Sequence, residues 1–205
     1  MLLFIGKLIS KILLFIKLYM FDKYAKQYCN HKHVIFNADK CRFDGHVRLE
    51  IEDGSNVTLY DNVRICSDYN SIDNSSYGGL YVKHNAALSI GENTGMVNTM
   101  IWCYNNINIG RNVNIGAGCL IMDTNFHSLR WQDRLDGTDT EISKQSTAPI
   151  NIGDLVFIGA RSIILKGVSI GEKSIVGAGS VVSCNVPAGE IWAGNPAKFI
   201  KKIPQ

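Results

Sequence analysis

An aliphatic residue returns at every sixth position from Ile152 through Ile158, Ile164, Ile170 and Val176 to Val182. Gly commonly follows it, and a small or β-branched residue stands fifth, as Val168, Ser174, Ser180 and Val186. Ile109-Gly110-Arg111-Asn112-Val113-Asn114 and Ile115-Gly116-Ala117-Gly118-Cys119-Leu120 repeat the pattern back to back. Ile90-Gly91-Glu92-Asn93-Thr94-Gly95 is a looser copy, and Leu59 with Val63 fits the same template. An amphipathic helix needs spacings of three and four and a half-buried strand needs two, so a period of six requires a unit that turns after every six residues. That unit is a short strand plus a corner. Stacked as a parallel β-helix, it points the aliphatic residue inward at each level and places Gly and the small residue at the crowded corner. Three units make a coil of about 18 residues, coils stack at roughly 4.8 Å, and residues 34–190 hold roughly six of them.

Two stretches interrupt the period. Ser67 to Ala87 is polar and rich in turn-forming residues, and it reads as a loop or irregular coil. Ile121 and Ile152 are 31 positions apart, so the chain leaves the solenoid and re-enters in another register. A protruding loop over Phe126 to Pro149 accounts for this, and long loops in tight solenoids tend to carry function.

Composition narrows the class. The chain has 205 residues and 46% hydrophobic content, enough for a sizeable core, which excludes intrinsic disorder. Lys+Arg 21 against Asp+Glu 18 gives a formal charge of +3, so no chain-wide basic field points to nucleic acid. A local anion site stays open. Six cysteines include no Cys-x-x-Cys pair, which excludes a zinc knuckle or thioredoxin-type motif and reads as reduced thiols in a cytoplasmic protein.

Met1 to Phe21 reads MLLFIGKLISKILLFIKLYMF. At 100° per residue, Gly6, Lys7, Ser10, Lys11 and Lys17 fall within an arc of roughly 140°, leaving the other face to Leu, Ile, Phe and Met. The spacing predicts an amphipathic basic helix. Central lysines would each cost about 2.5 to 3.5 kcal/mol in a spanning helix, and no small-x-small cleavage site follows, so neither a membrane span nor a signal peptide is expected. Two readings stay open: packing on the protein or a neighbouring subunit, or contact with an anionic inner membrane surface.

The segment Asp123-Thr124-Asn125-Phe126-His127-Ser128, the run from Ile150 to Ser180 and the tail Ala193-Gly194-Asn195-Pro196-Ala197-Lys198-Phe199-Ile200-Lys201-Lys202 together resemble the hexapeptide-repeat acyltransferases. That family includes maltose, galactoside and serine O-acetyltransferases and acetyltransferases of bacterial surface-polysaccharide clusters. The resemblance is close over about residues 88 to 203. It implies an all-β, left-handed parallel β-helix with an N-terminal helix (1–28), a β-helix domain (29–192) carrying the loop (126–149), and a C-terminal tail (193–205).

By the same resemblance, His127 is the general base that takes a proton from an acceptor hydroxyl, which then attacks the thioester of acetyl-CoA. Imidazole suits the task, because its pKa near 6.5 matches a poor nucleophile's need at neutral pH. Asp123 either orients that ring or meets the acceptor, or is only a local hydrogen-bond acceptor at a turn. Asn98 and, with a weaker claim, Asn125 are the remaining acceptor-binding candidates. Acetyl-CoA is expected in a groove between subunits of a homotrimer, its pantetheine arm on backbone amides near Gly159, Ala160 and Ala178 and against Phe157. Its phosphates are expected on Lys198, Lys201, Lys202 or Arg161, the lysines being read alternatively as a solvated chain end. Relatives often carry Trp at the place of Phe157, and a Lys where this chain reads Ser183-Cys184-Asn185, so an indole donor and one cation are missing.

A γ-class carbonic anhydrase needs three zinc-binding histidines, whereas residues 88–205 hold only His127. No regular Thr array marks an ice-binding solenoid. What the resemblance implies is a cytoplasmic sugar O-acetyltransferase of surface-polysaccharide biosynthesis that needs no metal. An N-acetyltransferase of an amino sugar and a non-catalytic β-helix scaffold are the alternatives.

Overall fold

The computed structural model describes residues 2–67, 77–137 and 146–204, the side chains of 2–15 and 17 excepted. A helix, α1 (Leu2–His31), precedes six coils of three strands each. The first coil is β1 (Ile35–Phe36), β2 (Arg42–Asp44) and β3 (Arg48–Ile51); the second is β4 (Asn56–Leu59), β5 (Arg64–Cys66) and β6 (Gly79–Val82). The third is β7 (Ala87–Ile90), β8 (Gly95–Val97) and β9 (Met100–Cys103); the fourth is β10 (Asn106–Ile109), β11 (Asn114–Ile115) and β12 (Leu120–Met122). A short helix, α2 (Trp131–Leu135), lies in the loop that follows. The fifth coil is β13 (Ile150–Ile152), β14 (Phe157–Ile158) and β15 (Ile163–Ile164); the sixth is β16 (Ser169–Ile170), β17 (Ile175–Val176) and β18 (Val181–Val182). β19 (Glu190–Ala193) and β20 (Lys198–Lys202) close the chain.

Every third strand pairs in parallel, so the coils build a three-sided prism. Sheet one holds β1, β4, β7, β10, β13 and β16; sheet two starts at β2 and runs through β17 to β19 and β20; sheet three runs from β3 to β18. This is the parallel β-helix that the period of six requires, of the left-handed kind that the resemblance implies.

Register explains the core. In sheet one Phe36, Leu59, Ile90, Ile109, Ile152 and Ile170 stack directly over one another. In sheet two the column is Phe43, Ile65, Met96, Ile115, Ile158, Val176 and Trp192. In sheet three it is Leu49, Leu80, Ile101, Ile121, Ile164 and Val182. Only Phe36, Leu49 and Trp192, at the ends, are partly exposed. The six aliphatics from Ile152 to Val182 are all buried, two on each sheet.

Glycine at the second place of the repeat is a matter of close approach between coils. A Cβ on Gly159 would sit 2.4 Å from the backbone nitrogen of Ala178. The left-handed backbone falls instead on the fourth place, at Asn112, Leu155, Arg161, Lys173 and Gly179, with φ of 56°, 61°, 59°, 60° and 69°. The corner geometry is thus set by stacking, and side chains that dislike positive φ are carried along with it.

Three expectations need correcting. Ser67 to Ala87 is not all irregular: Gly79–Val82 forms β6, because Leu80 and Val82 alternate inward and are fully buried, although no Gly-containing hexapeptide marks them. Residues 68–76 lie outside the described part. The N-terminal helix runs to His31, past residue 28. The tail from 193 onward is not an appendage, since β20 folds back antiparallel on β19, pairing Ala193 with Lys198 and Glu190 with Lys202. The sixfold phase shifts by one between Ile121 and Ile152, while the faces keep their order: the chain leaves sheet three after β12 and returns on sheet one at β13, so the loop is a corner drawn out.

The second half of α1 packs on this same protein. Ala25 and Cys29 are buried, the Asp22 carboxylate accepts from the Phe43 amide at 2.9 Å, and the Tyr28 hydroxyl accepts from the Ile51 amide at 3.0 Å. The helix therefore caps the first coil. The amphipathic pattern expected over Met1 to Phe21 lies mostly outside the described side chains. All six cysteines are unpaired and five are buried. Burial pushes the Cys29 thiol up to about 12, which keeps it protonated and inert.

Candidate active site

The drawn-out corner between sheets three and one carries His127, which is exposed. Its neighbours on both sides are anchored. Thr124 pairs antiparallel with Thr147 across the loop's base, and its hydroxyl oxygen accepts from the Phe126 amide at 3.1 Å. Ser128, 4% exposed, donates its hydroxyl to the carboxylate of the buried Asp133 at 2.6 Å and accepts from the Arg130 amide at 3.1 Å. Arg134 donates to the Ser128 carbonyl. The imidazole is thus exposed on a frame tied at both ends, an arrangement that could hold a proton-transfer group in place.

Phe126 has φ +62°, the left-handed region that for a bulky residue costs about 1–2 kcal/mol. Its ring meets Trp102 edge-on at 5.2 Å and Tyr104 at 5.8 Å, and Trp102 stacks on Tyr81 at 4.0 Å. Tyr81 and Trp102 are register partners on the outer face of sheet three. The sequence reading missed these aromatics, together with Ser128 and Asp133. Tyr81, Trp102 and Phe126 lie too far apart in the chain for a local pattern to join them, and only the coil register does so.

Asp123 is fully buried, and both its carboxylate oxygens are used. They accept from the amides of Tyr104, Asn105 and Asn106 at 2.7, 2.8 and 2.9 Å. Burial pushes the carboxyl up, and the three amides pull it partly back. The geometry matches the alternative of a local hydrogen-bond acceptor, holding the turn before β10. Asn125 is half-buried beside it.

The residues expected to hold the acyl donor lie on a different edge of the prism. Gly159, Ala160 and Arg161 form the corner between β14 and β15, and Ala178 lies directly above them in the next coil. The amide of Arg161 donates to the Ala117 carbonyl and that of Gly179 to the Ala160 carbonyl, so this corner stacks continuously, with small residues at every place but Arg161 in coils four to six. Asn98, 2% exposed, sits on the same column further down, not on the His127 corner. Phe157, 47% exposed, stacks over Ile175 and Ile191 on the outer face of sheet two. Lys201 pairs with Ile191, and Lys198 with Ala193, which puts both lysines on that face. Residues 157–161, Ala178, Lys198 and Lys201 thus make one edge: an aromatic face, a smooth corner and cations at the end. That set suits a long thioester with a phosphorylated end. His127 lies across sheet three from it.

A model of the hexapeptide repeat of succinyl-transferase matches residues 149–184, the stretch that builds coils five and six. Those residues carry the hexapeptide repeat that the model describes. This hexapeptide-repeat protein is 35% identical over 117 residues to a Staphylococcus aureus (strain MRSA252) protein provisionally named an acetyltransferase, covering 48% of this chain and 56% of that one. It is 38% identical over 96 residues to 2,3,4,5-tetrahydropyridine-2,6-dicarboxylate N-acetyltransferase of S. aureus (strain JH9), covering 47% and 33%. The chain spans about half or less of the length of these relatives. Among solved structures, galactoside acetyltransferase in complex with coenzyme A superposes with TM-score 0.51 at 27% identity, over 77% of this chain and 64% of that one. The polySia-specific acetyltransferase NeuO superposes with TM-score 0.54 at 26% identity, over 82% and 78%.

Proposed function

We propose that this hexapeptide-repeat protein is an O-acetyltransferase that moves acetyl from acetyl-CoA to a sugar hydroxyl in the making of a bacterial surface polysaccharide. The observation that carries the reading is His127 itself: an exposed imidazole at the base of the loop, tethered on both sides. In this mechanism His127 accepts the proton of the acceptor hydroxyl as the oxygen attacks the thioester carbonyl, and returns it to the departing thiolate. The column Gly159, Ala160 and Ala178, with Phe157, would hold the pantetheine arm, and Lys198, Lys201 or Arg161 the phosphates. Its likeness to galactoside acetyltransferase with coenzyme A supports the donor, and its likeness to NeuO supports a sugar acceptor.

In one chain the base and the donor edge lie on opposite sides of sheet three. A homotrimer, in which the His127 corner of one copy faces the donor edge of the next, completes the site, with Asn98 and Asn125 lining the acceptor side. His127→Ala is expected to lower turnover by about 10² to 10⁴ with coenzyme A affinity little changed. Undiminished turnover in that variant removes the base assignment. The N-acetyltransferase relative supports a second reading, transfer to an amino sugar. Product mapping by NMR after a screen of nucleotide sugars and amino sugars separates the two, and absence of acetyl-CoA consumption in every mixture favours a scaffold.

The location proposed is the cytoplasmic side of the membrane. Ile16, Tyr19, Met20 and Tyr24 are 51%, 60%, 59% and 65% exposed, on the side of α1 away from the buried Ala25 and Cys29. No acidic residue precedes Asp22, while Lys7, Lys11 and Lys17 do. Among the described residues, no helix is long and apolar enough to cross a membrane. This pattern suits an anionic lipid surface. Removal of residues 1–21 is expected to abolish sedimentation with phosphatidylglycerol vesicles, and sedimentation unchanged by the removal overturns the contact.

A further inference from the structure

The outer face of sheet three carries a stack of rings that the prism does not need. Tyr81 and Trp102 lie almost parallel, 4.0 Å apart and 11° from coplanar. Phe126 meets Trp102 at 89° and Tyr104 at 87°. None of these rings is part of the inward columns, where Leu80, Ile101 and Ile121 fill the core. Tyr104 is itself fixed, since its amide donates to the buried Asp123 carboxylate and its ring lies 5.8 Å from the Lys83 ammonium. Lys83 in turn pairs with Glu52 at 2.6 Å. The rings therefore form a rigid shelf, and its last member is the residue next to His127.

Phe126 is also the one bulky aromatic held at positive φ among the described residues. A residue in that conformation returns to an ordinary one unless its surroundings prevent it. Here two rings grip its side chain and the Thr124 hydroxyl grips its amide. Releasing the side chain lets φ relax, and rotation at residue 126 swings the Cα–Cβ direction of residue 127 away from where it points. We propose that Phe126 is a positioning residue, clamped by Trp102 and Tyr104 so that its left-handed backbone aims the His127 imidazole at the acceptor. The inference rests on His127 being the base, and it adds the device that aims it.

The test is a cycle of variants: Trp102→Ala, Trp102→Phe, His127→Ala and the pair Trp102→Ala with His127→Ala. The readouts are acetyl-CoA turnover with the best acceptor from a nucleotide-sugar panel, and the ¹³C-labelled His127 ring resonance without any acceptor. Trp102→Ala is expected to lower kcat about 10- to 100-fold with KM for acetyl-CoA unchanged, and to broaden or shift the His127 resonance. Trp102→Phe, which keeps an aromatic edge contact, is expected to restore most of the turnover and a single sharp resonance. In the His127→Ala background the Trp102→Ala change should cost nothing more, because the ring acts through the imidazole. Losses that multiply in the pair, or a His127 resonance identical in Trp102→Ala and the parent, overturn the clamp while leaving the base assignment intact. Full turnover in His127→Ala alone overturns the base assignment instead.

Discussion

Coil five keeps the sixfold repeat, and the corner that ends coil four leaves it. Along coil five, Ile152, Ile158 and Ile164 face inward at 3%, 0% and 0% exposure. Its left-handed corner positions hold Leu155, Arg161 and Gly167, three unlike residues in one backbone conformation. At the corner ending coil four, the buried residues are polar: Asp123, Thr124, Ser128 and Asp133, three of them with their side chains tied to backbone amides. Where the chain repeats, side chains serve the stack and corners are interchangeable. Where it departs from the repeat, each residue has a particular partner, and the departure surrounds His127, the one histidine of residues 88–205.

The contrast breaks most visibly in stability. Ile158→Ala removes a fully buried side chain between Ile115 and Val176, and by precedent for such truncations costs about 2–5 kcal/mol. Urea denaturation should show a lower midpoint, while turnover of the folded fraction stays close to the parent's. A loss below about 1 kcal/mol would mean that the stack collapses around the gap and that the columns are less tightly specified than their register implies.

A smaller effect sharpens the same point at a corner. Leu155, 51% exposed with φ +61°, gains little from its side chain and bears the strain of its backbone. Leu155→Gly should be neutral or raise stability by up to about 1 kcal/mol, measured by thermal denaturation, because glycine adopts that φ without penalty. A clear loss would show that the leucine side chain packs in a way its exposure hides.

How far the sequence could be read follows from this division. Spacing revealed coils five and six fully, since an inward aliphatic every six residues has no other economical solution. It missed β6, where inward Leu80 and Val82 carry no hexapeptide signature. It missed the hairpin of β19 and β20, where the repeat gives way to pairing between strands. The fourth-place turn was invisible because Asn, Leu, Arg, Lys and Gly all occupy it. At the candidate site, His127 was singled out by its place ahead of the loop together with the resemblance, and its role is a proposal. The aromatic shelf was not, because residues 81, 102 and 126 become neighbours only through register.

The smallest expected effect concerns Asp123 and sets burial against hydrogen bonding. Three amides favour the carboxylate, yet burial dominates and holds the carboxyl above its ordinary range. A folded-state pKa above the unfolded one means that the native protein binds more protons between the two values. The associated stability is therefore fully present below the unfolded value, about 3.9, and is lost as pH rises through the raised one. Urea midpoints across that window should fall with pH in the parent relative to Asp123→Asn, which cannot ionise. If the difference rises with pH instead, the amides outweigh burial. The turn at 104–106 would then be held by a carboxylate more stable folded than free, and the Tyr104 arm of the shelf would loosen on acidification.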